Sequence, residues 1–195
     1  WYAGNNQYLN IAQDINNLLE KISDITGARL LLFGGSGGGF SVLVQALLAK
    51  KDYDYFVWNC QTSISQYSKK FVLDYLNKAF SINIDQDTTN EEIYEFLEKK
   101  RVIHDLTKDK GILNKNIYYL QNKSDWHYNK HAIKLIESFN LNEIYDNYYS
   151  KNKFKLYVSE WGKGHIQPPY EVILKCMEDI IVTRKLTYSD LELYI

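Results

Sequence analysis

The sequence predicts an α/β fold, a parallel sheet of about four strands joined by crossover helices. Three observations carry that expectation. Short apolar runs alternate with longer amphipathic stretches along the whole chain, the pattern of strand–helix–strand units. The run Leu30–Leu31–Leu32–Phe33 is apolar at every position, as in strands buried on both faces of a parallel sheet. The cluster Gly34–Gly35–Ser36–Gly37–Gly38–Gly39 then stands between that strand and a helical pattern, where the backbone must turn sharply.

Taken in order, residues 8–26 place Ile11, Ile15, Leu18, Ile22 and Ile25 at spacings of four and three, an amphipathic helix ending at Gly27. Residues 28–33 form the first strand and 38–49 the next helix. Tyr55–Trp58 is the second strand, ending in Asn59–Cys60–Gln61–Thr62. The stretch 64–110 reads as helical, and Thr89 with Glu92 makes a capping box for its second helix. Ile117–Leu120 is the third strand. A helix over 129–139 points Ala132, Ile133 and Ile136 inward. Phe154–Val158 is the fourth strand, and Pro168–Pro169 opens a last helix carrying Val172, Ile173, Cys176, Ile180 and Ile181. Strands added in one direction by right-handed crossovers put their helices on one face, and the last helix can cover the other.

The 195 residues form a single expected domain, 1–195. The chain opens on Trp1, so a piece of a longer protein is expected. A net charge of −1 gives no basis for binding nucleic acid or an anionic membrane surface, and no apolar run is long enough to span a bilayer. Cys60 and Cys176 are isolated in sequence and read as small buried apolar residues, with neither metal-ligand nor disulfide spacing. No metal and no cofactor is expected.

The glycine cluster admits three readings. A phosphate loop needs Lys then Ser or Thr after its last glycine, and Phe40–Ser41 follows instead. A dinucleotide fingerprint fails in both frames, which place Phe40 or Val42 where the third glycine belongs. The nucleophile elbow G-x-S-x-G fits Gly34–Gly35–Ser36–Gly37–Gly38 without mismatch. A glycine-rich turn with an incidental serine is the plain alternative, and partner residues decide between them.

A serine needs an oriented base. Of the four histidines, His104 and His131 sit in helical patterns, where a solvated or capping role is usual. His165 follows the fourth strand in the glycine-containing loop Trp161–Pro168, at the same sheet edge as Ser36. Asp125 follows the third strand and can fix the imidazole tautomer, its plain alternative being a turn or helix cap. Asp109 is a weaker carboxylate, because no strand end precedes it. The expected set is Ser36 as nucleophile, His165 as base and Asp125 as its orienting acid, with the Gly37 N–H toward the oxyanion. Gly35, Gln61 and His127 are the expected substrate contacts, His127 also being an alternative base.

The order Ser–Asp–His, each after a different strand, resembles the α/β-hydrolases. The chain looks like the C-terminal part of such a fold. More narrowly it resembles bacterial hydrolases linked to surface glycans and to accessory secretion of glycosylated adhesins. The stretches carrying this are WYAG (1–4), GGSGGGFSVL (34–43), NCQT (59–62), NKSDWH (122–127) and GHIQPPYEVIL (164–174). NCQT departs from the pattern in lacking a proline after its asparagine.

The resemblance implies a serine hydrolase acting on an acyl ester: an esterase, deacetylase or acyltransferase, its substrate a small acyl ester or acylated glycan. It implies a helical lid insertion at about 62–112, a second oxyanion donor from an earlier loop upstream of Trp1, and a cytoplasmic location. The alternative is a non-catalytic interaction module of a glycan or secretion assembly. With the first strand at a sheet edge, an edge-to-edge homodimer or an exposed apolar face is expected.

Overall fold

The computed structural model describes residues 3–82 and 84–194; Trp1 and Tyr2 of the WYAG stretch lie outside the described residues. Six strands form one sheet: β1 (Leu31–Gly35), β2 (Asp54–Trp58), β3 (Asn116–Asn122), β4 (Asn142–Tyr145), β5 (Tyr148–Lys151) and β6 (Phe154–Ser159). Their order is β1–β2–β3–β6–β5–β4. β1, β2, β3 and β6 are parallel, with Leu31 beside Asp54, Asp54 beside Asn116 and Ile117 beside Phe154. These are the four strands expected from the apolar runs.

The hairpin β4–β5 is an addition to that expectation, and it pairs antiparallel to β6. Its strands read Asn142–Glu143–Ile144–Tyr145 and Tyr148–Tyr149–Ser150–Lys151 around the turn at Asp146–Asn147, where Asn147 has φ 59°. It extends an edge of the sheet, so its residues lack the continuous apolar character of the central strands.

Helices α1 (Ile11–Thr26), α2 (Ser36–Leu48), α3 (Lys69–Phe80), α4 (Asn90–Lys99) and α5 (Ile133–Phe139) lie with one core, built on Phe40, Leu43, Tyr55, Ile64, Leu76, Leu97 and Phe139. α6 (Tyr170–Thr183) and α7 (Tyr188–Tyr194) cover the opposite face through Val172, Ile173, Cys176, Ile180 and Leu191 against Phe56, Tyr118 and Leu120. Each fully buried side chain of this size contributes about 1.5–3 kcal/mol of burial. Cys60 and Cys176 are free and buried.

Several expectations need correcting. β1 runs to Gly35 and α2 starts at Ser36, so the glycines complete the strand and open the helix. Among the described residues of 64–110, α-helix spans only α3 and α4, with a 3₁₀ turn at Leu106–Lys108; the Thr89–Glu92 capping box is formed. His104 lies on extended chain and is buried, its ring bonded to Glu98. The π-helical turn Tyr128–Ala132 buries His131 and Ala132, α5 turns Leu135 and Phe139 inward, and Ile133 and Ile136 are only half-buried. In α1 the buried positions are Ala12, Asn16 and Ser23, whereas Leu18, Ile22 and Ile25 face out. That apolar stripe is real, but among the described residues its outer positions Leu18, Ile22 and Ile25 stay exposed.

Candidate active site

The parallel strands end at one edge, and there the chain makes its tightest turn. Ser36 has φ 52°, a left-handed conformation disfavoured for a residue with a Cβ by roughly 1–2 kcal/mol. The turn is closed enough that a Cβ on Gly34 would meet the Gly38 backbone at 3.0 Å, and one on Gly39 would meet Cys60 Sγ at 2.2 Å. A Cβ on Gly35 would run into the Trp58 indole at 2.2 Å. Glycine is therefore required by close approach at all three positions. Ser36 opens α2, so the Gly37 N–H belongs to the helix's first turn and has no intrahelical acceptor.

Ser36 and His165 line one cleft of about 350 Å³ together with Gly35, Trp58, Asn59 and Gln167. His165 Nδ1 lies 2.6 Å from Asp125 Oδ2. Asp125 is buried, and burial alone would raise its pKa. Hydrogen bonds from the ring and backbone N–H of His127 and from the His165 ring overcome that and hold the carboxyl below its ordinary value. An ionised Asp125 can only accept, so Nδ1 of His165 carries the proton and Nε2 keeps a lone pair. Gln61 Nε2 donates to Ser36 Oγ at 3.4 Å, and the Gln61 backbone N–H donates to the Ser36 carbonyl at 3.4 Å.

Asp125 serves two histidines. Its Oδ1 accepts from both the backbone N–H and Nδ1 of His127, each at 2.9 Å. His127 is fully buried, its ring 3.9 Å from that of Trp126 and 4.3 Å from that of His165, and burial lowers its pKa. Asp125, His127 and His165 are close enough together to be considered as metal ligands. Both Nδ1 atoms already face the carboxylate, and His127 Nε2 is buried without a hydrogen-bond partner among the described residues. His131 is buried behind them and accepts from the Thr62 N–H at 3.2 Å; burial brings its pKa down to about 3. It is neither solvated nor a cap, and Asp109 lies outside the cleft, capping a 3₁₀ turn by accepting from the Gly111 N–H.

The loop bearing His165 is fixed by three polar residues that sequence reasoning did not single out. Asn59 Nδ2 donates to the Ile166 carbonyl at 2.8 Å. Asn122 Nδ2 donates to the carbonyls of Gly162 and Gly164, and Ser124 Oγ to that of Gly162. Asn59 and Asn122 each close a strand, a placement that could have marked them as loop anchors.

This sheet, its order and the serine turn after β1 make the architecture an α/β-hydrolase fold. Among solved structures the chain is similar to the Glycosylation Associate Protein (Gap123) complex from Streptococcus agalactiae, with 16% identity and a TM-score of 0.54 over 95% of this chain and 35% of that one. It is also similar to a carboxylesterase of Nitrososphaera gargenis, at 14% identity and TM-score 0.49 over 90% and 74% of the two chains. A monoacylglycerol lipase of Paleococcus ferrophilus aligns at 12% identity and TM-score 0.46 over 80% and 67%. The chain thus spans about a third of the length of the first. No family model and no curated protein matches the sequence. No helix among the described residues is long and apolar enough to cross a membrane.

Proposed function

We propose that the chain is a serine hydrolase or transferase acting on an acyl ester. The observation that carries this is the 2.6 Å contact of His165 with a buried carboxylate, in a ring that shares its cleft with a serine held at positive φ. His165 Nε2 takes the proton as Ser36 Oγ attacks the carbonyl carbon. A tetrahedral intermediate forms, and His165 returns the proton to the leaving alkoxide as the acyl–oxygen bond breaks. Water, or an acceptor hydroxyl, then repeats the sequence on the acyl-serine. Asp125 orients the imidazole and stabilises its protonated form. The Gly37 N–H receives the oxyanion, and the Gln61 carboxamide, which donates to Ser36 Oγ, contacts the substrate. Gly35 and Trp58 form the floor against the substrate, and the small cleft suits a short acyl group such as acetyl on a glycan. The compartment proposed is the cytoplasm.

The test is release of p-nitrophenol from p-nitrophenyl acetate. Ser36→Ala and His165→Ala should each abolish turnover, because nucleophile and base act as a unit. Unchanged turnover in Ser36→Ala supports the second reading, a non-catalytic interaction module that keeps the fold. The observation favouring that reading is the likeness to a glycosylation-associated complex.

A further inference from the structure

A second cavity, of about 560 Å³, lies between the β4–β5 hairpin and the start of α7. Lys155 is the second residue of β6, whose last residue, Ser159, leads to the His165 loop, so the cavity sits some four strand residues, about 13 Å, from that edge. Its walls are Tyr145, Tyr148 and Tyr188, with Lys155, Lys185 and the hydroxyl of Thr187. Tyr145 and Tyr188 stack at 4.6 Å, and Tyr148 meets Tyr188 edge-on at 5.5 Å.

The charge is one-sided. Both ionisable side chains apart from the phenols are lysines, and no carboxylate lines the cavity. Lys155 is half-buried, with Nζ 4.6 Å over the Tyr118 ring, and it forms no ion pair among the described residues. The carboxylates nearby already have partners: Asp190 accepts from the Thr187 hydroxyl at 2.6 Å, Glu192 from Tyr157 at 2.6 Å and from Tyr188, and Asp54 pairs with Arg29 at 2.6 Å. Burial first, and then the charge of Lys185, lowers the Lys155 pKa. Two lysines lining one concavity, one of them half-buried and without an ion pair among the described residues, make an arrangement that an entering anion relieves. The tyrosine faces and hydroxyls around them suit a ring that is apolar on one face and hydroxylated at its rim.

We propose that this cavity binds an anionic sugar, a pyranose bearing a phosphate or a carboxylate. The sugar face lies on the Tyr145–Tyr188 pair, and the anionic group sits between Lys155 and Lys185. The site is separate from the Ser36 cleft and does not depend on its chemistry.

Calorimetric titration with glucose 1-phosphate and with glucuronate, against glucose and inorganic phosphate, tests it. The expected result is saturable one-to-one binding of at least one charged sugar, about tenfold or more tighter than glucose or phosphate alone. Lys155→Met and Tyr188→Ala should each weaken it by about tenfold, and Ser36→Ala should leave it unchanged. Should Lys155→Met fail to fold by circular dichroism, the exposed Lys185→Met carries the same expectation. The proposal is overturned by no saturable binding of either charged sugar, by phosphate binding as tightly as the sugar phosphate, or by lysine variants that bind as the native chain does.

Discussion

Asp125 spends one oxygen on His165 and the other on His127, so a change there reaches the base through its orientation. Asp125→Asn should lower ester turnover by on the order of a hundredfold or more, since an amide can present an N–H where His165 needs an acceptor. Steady-state kinetics on the folded variant check this, and unaltered kcat would remove Asp125 from the mechanism. His131 gives a second expectation. Its folded pKa, about 3, lies below its ordinary value, so the unfolded chain binds a proton that the native protein does not. The stability this represents is complete above about pH 6.5 and is lost as pH falls toward 3. His131→Asn keeps an acceptor for the Thr62 N–H and removes the titration. Its denaturant midpoint should therefore fall less steeply across that window than the native one. The positions of Ser36, Asp125 and His165 at one sheet edge were legible, because each follows an apolar run. The anchoring by Asn59, Asn122 and Ser124 was not, because it depends on the loop at 160–167 folding back over residues some forty to a hundred positions earlier. The burial of His104 and His131 was hidden for a similar reason: local helical spacing does not say which distant segment packs against a ring.

The strand–turn–helix unit β1–α2 is the element most constrained by close packing. A methyl on Gly39 overlaps Cys60 Sγ, and Cys60 is fully buried with no room to withdraw. Gly39→Ala should destabilise by about 1–3 kcal/mol, the usual range for overpacking. Adding Cys60→Ala should recover part of that loss, and chemical denaturation of both variants measures the coupling. Strictly additive losses would show that the clash lies with the Gly34 carbonyl, 3.1 Å from the same position. The four central strands were legible from their apolar runs and the capping box from Thr89 and Glu92. The β4–β5 hairpin was missed because, at the sheet margin, its four-residue strands mix polar residues with tyrosines and leave no apolar run to find.

Across the whole molecule the sheet is asymmetric. β1 is an edge of the sheet within this chain, Phe33 is 53% exposed, and Ile25 of the neighbouring α1 is 75% exposed. Leu18 and Ile22 continue the same apolar face. We propose that a second copy covers it by edge pairing, the unpaired backbone of β1 being the template. Phe33→Lys with Ile25→Lys should shift the chain to a monomer by light scattering, and a native chain that is monomeric at high concentration would contradict the pairing. This face explains why the periodicity of residues 8–26 located a helix without locating its buried side: an amphipathic pattern marks an apolar stripe, not what covers it. The central claim concerns the carboxyl edge of the sheet, where Ser36 shares a cleft with His165 and His165 contacts Asp125. Intact-mass spectrometry after treatment with a fluorophosphonate reads it most directly. The account predicts one covalent adduct per chain, mapped to Ser36 by peptide analysis and absent in Ser36→Ala and His165→Ala. An unmodified native chain, or an adduct that persists in Ser36→Ala, would contradict it.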